Sequence, residues 1–145
     1  MTLYIGLMSG TSLDGVDGVL LSLESSENDA LHTLAHVHRP FPTALKADLL
    51  ALNASGNDEL HRAALAANAL ARLYADVVAA LLEGSQTAPG AARAIRAPGQ
   101  PVRHRPGEFD GTGHRPPPTA PPFPAPAHAR TILAASPTRA SAART

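Results

Sequence analysis

The chain has 145 residues, with 12 Lys plus Arg balanced by 12 Asp plus Glu and no cysteine. That length holds one domain and a tail but not a large two-lobed enzyme, and the missing cysteines exclude disulfides and thiolate metal sites. The neutral total hides a split: residues 1–110 carry all 12 acids and eight basic residues, a net −4, while residues 111–145 carry four arginines and no acid.

Tyr4 to Met8 is a short apolar run that reads as a buried strand. A Gly/Ser/Asp turn follows, then Val19 to Leu23 as a second strand, the pattern of a hairpin. No basic n-region precedes Tyr4, and Ser9, Thr11 and Asp14 interrupt the run, so it does not read as a signal peptide. Leu31 to His38 alternates apolar and polar residues, as a half-buried third strand should. Pro42 suits the first turn of a helix striped by Leu45, Leu49 and Leu52, which Gly56 is expected to stop.

A longer amphipathic helix is expected from about Asp58 to Leu82. Its apolar stripe is Leu60, Ala63, Ala67, Leu70, Tyr74, Val77 and Leu81, with His61, Asn68, Arg72, Asp76 and Glu83 opposite. Asn68, Arg72 and Asp76 also argue against a membrane span over Ala63 to Leu82, so the expected location is the cytoplasm. A fourth strand is expected around Ala94-Ile95. From His114 onward periodicity is lost except around Thr131-Ile132-Leu133, and seven of the 11 residues from Pro116 to Pro126 are proline. Such text buries too little apolar surface to offset ordering, so residues 114–145 are expected to be a disordered tail.

The most informative stretch is Met8-Ser9-Gly10-Thr11-Ser12-Leu13-Asp14-Gly15-Val16-Asp17. Gly10 and Gly15 have the spacing that opens a Walker loop, but Val16 and Asp17 stand where Lys and Ser/Thr are required, which excludes that site. Two readings remain. Glycines, hydroxyls and free N–H groups can receive phosphate oxygens, with Asp14 or Asp17 holding Mg²⁺, through water, between themselves and the phosphates. Alternatively, Asp14-Gly15 is an ordinary hairpin turn that binds nothing.

The string YIGLMSGTSLDGVDGVLL resembles the N-terminal signature of the anhydro-N-acetylmuramic acid kinase family, and the likeness continues to GQPVRHRPGEFDGTG, covering residues 1–113. The resemblance implies an α/β fold, the incomplete N-terminal lobe of an actin-like (ribonuclease H-like) ATPase, whose first hairpin loop meets the nucleotide. It places ATP binding on Gly10, Thr11, Ser12, Leu13, Asp14, Gly15, Val16 and Asp17, and the Mg²⁺ that such chemistry needs is the ion read above at Asp14 or Asp17, through water. It also implies transfer of the ATP γ-phosphate to 1,6-anhydro-N-acetylmuramic acid, with water opening the ring to give N-acetylmuramic acid 6-phosphate in cell-wall recycling. Neither nucleic acid nor membrane is an expected partner.

Departures from the family pattern set further expectations. The family's Gly-x-His-Gly-Gln-Thr-Val reads here as Arg96-Ala97-Pro98-Gly99-Gln100-Pro101-Val102, and its catalytic Asp, in an Asp-Phe-Arg-x-Arg-Asp motif, is not found in these residues. The tail after Gly113 reads as an out-of-frame or degraded continuation of a kinase gene, and the 145 residues are expected to lack turnover. The alternatives are a fragment that at most binds nucleotide phosphates, or a small domain bearing a polyproline ligand after Arg115.

Other candidates have plainer readings. His36 and His38 share a strand face and could chelate Zn²⁺ or Ni²⁺, though no third ligand is indicated and a solvated face is the expectation. Arg103-His104-Arg105 reads as a solvated basic loop, and Glu108 with Asp110 as part of a turn.

Overall fold

The computed structural model describes residues 1–24, 30–100, 102 and 132–135. Strands β1 (Thr2–Ser9), β2 (Gly15–Leu23) and β3 (Leu31–Pro40) are followed by helices α1 (Thr43–Ala51) and α2 (Glu59–Gly84), then strands β4 (Ala92–Pro98) and β5 (Ile132–Ala135). They form one five-stranded sheet in the order β3-β2-β1-β4-β5. The first three strands pair antiparallel, with Ile5 opposite Leu20 and Asp17 opposite His38. β4 lies parallel to β1, with Ile5 beside Ile95. The two connections leaving the C-terminal ends of β1 and β4 therefore emerge at the same edge of the sheet, where α/β proteins place their ligands.

Strand alternation decides which face is packed. Ile5 and Leu7 of β1, Val16 and Leu20 of β2, and Ile95 of β4 are buried in one core with Leu70, Tyr74, Val77 and Leu81 of α2. Gly18 is the point of closest approach: a Cβ there would collide with Val77 and lie 2.9 Å from Leu81 Cδ1. On the other face, Met8, Asp17, His36 and His38 are exposed.

From β1 to β4 the elements match the sequence-based expectations except at their ends. β2 begins four residues earlier than Val19, because Gly15 to Gly18 pair with Val37 to Pro40 and extend the ladder to the turn. α1 ends at Ala51 rather than near Gly56: short bonds from Asn53 N–H to the Leu50 carbonyl and Ala54 N–H to the Ala51 carbonyl close its last turn, and the Asn53 side chain donates to the Leu49 carbonyl.

Leu60 is assigned to the apolar stripe by periodicity, yet it is 90 % exposed, and the fully buried residues of α2 begin at Ala66. Length gives the reason. A 26-residue helix is about 39 Å long, whereas the nine-residue strand beneath it spans about 30 Å, so the first turns overhang the sheet. By length and composition α2 is long and apolar enough to cross a membrane, and half of its most apolar window is buried in the fold.

Within the stretch expected to be a disordered tail, the described residues Ile132–Ala135 form β5, parallel to β4 with Ile132 beside Ile95 and Ala135 beside Pro98. β4 would otherwise present an unpaired edge, and Ile132-Leu133 belongs to the only periodic text in that stretch. The polyproline run, the Arg103-His104-Arg105 patch and the Glu108/Asp110 pair lie outside the described residues.

Candidate functional site

The loop from Gly10 to Asp14 joins β1 to β2 at the edge where β4 also ends. Three contacts shape it. Leu13 N–H donates to the Gly10 carbonyl at 3.3 Å, closing the turn, and Phe41 N–H donates to the Asp14 carbonyl at 3.1 Å, tying the loop's exit to the junction between β3 and α1. The Gln100 side-chain amide, from the connection after β4, donates Nε2–H to the Gly10 carbonyl at 3.0 Å.

Leu13 holds the tightest conformation. Its φ is 55°, the left-handed region that a leucine seldom adopts, and its side chain is nonetheless buried in the core. Burial of the leucine side chain offsets the cost of the backbone. With Leu13 turned inward, Thr11, Ser12 and Asp14 are the loop residues whose side chains remain exposed.

The next three expected site residues lie in β2. Val16 is wholly buried, so its side chain cannot reach a ligand. Gly15 is demanded by space, since a Cβ there would collide with the Arg39 carbonyl and lie 2.8 Å from the Pro40 Cα. Asp17 faces the open side of the sheet, where His36 Nε2–H and His38 Nδ1–H both donate to its Oδ1 at 3.1 Å. Burial pushes its carboxyl up, but the hydrogen bonds and charges of His38 and His36 together outweigh that and hold it below the ordinary carboxylate value. His36 and His38 are thus partners of a carboxylate. Among the described residues, no group of three or more His, Asp or Glu is arranged to hold a metal ion.

Beneath the loop lies a buried polar hub. The Tyr74 hydroxyl, on α2, donates to the Pro98 carbonyl at 2.8 Å and lies 2.7 Å from Ser9 Oγ. A phenol has one proton, so the Ser9 hydroxyl donates in the second bond. Burial raises the Tyr74 pKa, against a smaller opposing effect of Ser9. This hub joins the last residue of β1 to the last of β4, the two points from which the loops depart. Sequence reasoning assigned no role to Ser9 or Gln100 and read Tyr74 only as core; a Gln between Gly99 and Pro101 directly after a strand is the signal that was there to be read.

A family model for anhydro-N-acetylmuramic acid kinase matches residues 2–113. This chain belongs to that family. Among curated relatives named anhydro-N-acetylmuramic acid kinase, the one from Albidiferax ferrireducens is 61 % identical over 112 residues, 77 % of this chain and 28 % of the relative. Those from Variovorax paradoxus (56 % over 112 residues, 77 % and 29 %) and Bordetella avium (64 % over 104 residues, 71 % and 26 %) are similar. The chain thus spans under a third of the length of the relatives it matches. The family is one of sugar kinases with the actin-like ATPase fold, and the mixed sheet with α2 on one face is the N-terminal part of it.

Proposed function

We propose that residues 1–113 supply the phosphate-binding part of a cytoplasmic anhydro-N-acetylmuramic acid kinase, with Gly10 to Asp14 meeting the nucleotide phosphates. The observation that carries this is the exposed cluster of Thr11, Ser12 and Asp14 on a turn braced from below by Leu13 and from the side by Gln100. Hydroxyls and backbone N–H groups on a braced loop bind phosphate oxygens without reorganising first. Leu13, Gly15 and Val16 act through backbone and packing.

The donor set fits Mg²⁺ at Asp14, whose exposed carboxylate stands at the loop's end and would hold the ion through water. Asp17 could join through its Oδ2, since its Oδ1 accepts from the two imidazoles. Bound Mg²⁺ neutralises phosphate charge during transfer. The reaction proposed is passage of the ATP γ-phosphate to 1,6-anhydro-N-acetylmuramic acid while water opens the anhydro ring, giving N-acetylmuramic acid 6-phosphate and ADP.

The family's Asp-Phe-Arg-x-Arg-Asp motif, expected to hold the water-activating base, is not found in these 145 residues. Expressed alone, they are expected to bind Mg-ATP without turning over the sugar. Calorimetric titration of the 145-residue chain with Mg-ATP tests this. Saturable binding lost in a Thr11→Ala/Ser12→Ala double variant supports the reading. No heat of binding in the unaltered chain refutes it.

A further inference from the structure

The Gly10 carbonyl accepts from a near and from a distant piece of chain. Leu13 N–H reaches it from within the loop, and the Gln100 side chain reaches it across 90 residues of sequence. Gln100 is fully buried, and burying a primary amide is unfavourable unless its polar atoms are used. Its neighbours explain the placement: Pro98 is fixed to the Tyr74 hydroxyl, and Gly99 and Gln100 follow directly.

A trans peptide is planar, with its C=O and N–H pointing in opposite directions. Holding the Gly10 carbonyl toward Gln100 therefore directs the Thr11 N–H away from the β4 connection, and Thr11 is itself exposed. We propose that Gln100 is a positioning residue for nucleotide binding: its amide fixes the Gly10–Thr11 peptide so that the Thr11 N–H is presented to a phosphate oxygen. The role rests on the nucleotide reading of the loop. It adds a specific agent, outside the loop, that orients one donor.

The test uses the 145-residue chain and two variants. Gln100→Met keeps the volume and removes the amide, while Gln100→Asn keeps the amide but shortens its reach. NMR first reads the Gly10 carbonyl ¹³C shift and the Thr11 amide shift without ligand. Both should move in either variant, while amides of α2 beyond Tyr74 stay in place. Titration with Mg-ATP should then show affinity about tenfold weaker, the scale of one lost hydrogen bond, with the melting temperature changed little in Gln100→Asn. Unchanged Gly10 and Thr11 shifts would overturn the positioning role, as would variants that bind Mg-ATP as the unaltered chain does. If the unaltered chain itself does not bind Mg-ATP, the nucleotide reading falls and the role falls with it, whereas a failure confined to the variants' behaviour leaves nucleotide binding standing. Should Gln100→Met not fold, Gln100→Asn alone decides.

Discussion

The Ser9 hydroxyl lies 2.7 Å from the Tyr74 hydroxyl, 65 residues later in the chain. The Tyr74 hydroxyl in turn donates a hydrogen bond to the Pro98 carbonyl, so one phenol oxygen joins the ends of two parallel strands. Tyr74→Phe would keep the ring but orphan a buried serine hydroxyl and a carbonyl. It should cost about 1–3 kcal/mol, measured by urea denaturation.

The same residue makes a pH prediction. Tyr74 has a raised pKa in the folded chain, so its contribution is fully present below the unfolded value, roughly pH 10, and is lost as the pH rises through the folded value. Stability of the unaltered chain should therefore fall more steeply above that pH than that of Tyr74→Phe. Parallel alkaline limbs in the two proteins would count against a buried, neutral phenol.

Asp17 has the opposite sign. Its pKa is lowered in the folded state, so its stabilisation is present above roughly pH 4 and disappears as the pH falls through the lower folded value. The side chain is 54 % exposed, so solvent screening keeps the effect below about 1 kcal/mol. Asp17→Asn should flatten the acid limb of the stability profile by lowering the plateau near neutrality, by less than about 1 kcal/mol.

Gly18→Ala places a methyl group against Val77 and Leu81 at the tightest approach of sheet and helix. Overpacking of this kind costs about 1–3 kcal/mol. Thermal melting should show the loss, and trimming the opposing side chain in Gly18→Ala/Val77→Ala should not add the full cost of a cavity at Val77.

Exposure separates two leucines of α2. Leu70 is buried and Leu60 is 90 % exposed, so Leu70→Ala should cost about 2–5 kcal/mol while Leu60→Ala stays within about 0.5 kcal/mol. Equal losses at both sites would show that the first turns of α2 pack against something.

Strand and helix identities were legible because alternation and the 3.6-residue period are local properties of the chain. The left-handed Leu13 was not, because only burial in the core makes that backbone tolerable for a leucine. Nor was the pairing of Asp17 with His36 and His38, which depends on the register of β2 against β3. The sequence by itself determined the family, the elements from β1 to β4 and the phosphate-loop candidate, since MSGTSLDGVD is a contiguous string and amphipathic periods need no partner to be seen. Only the tertiary structure decided where α2 overhangs, which loop side chains stay exposed, and that Gln100 and Tyr74 brace the ends of β1 and β4. These are contacts between residues 65 to 90 positions apart in two cases, and chain folding, which no local pattern encodes, is what brings such residues within hydrogen-bond reach.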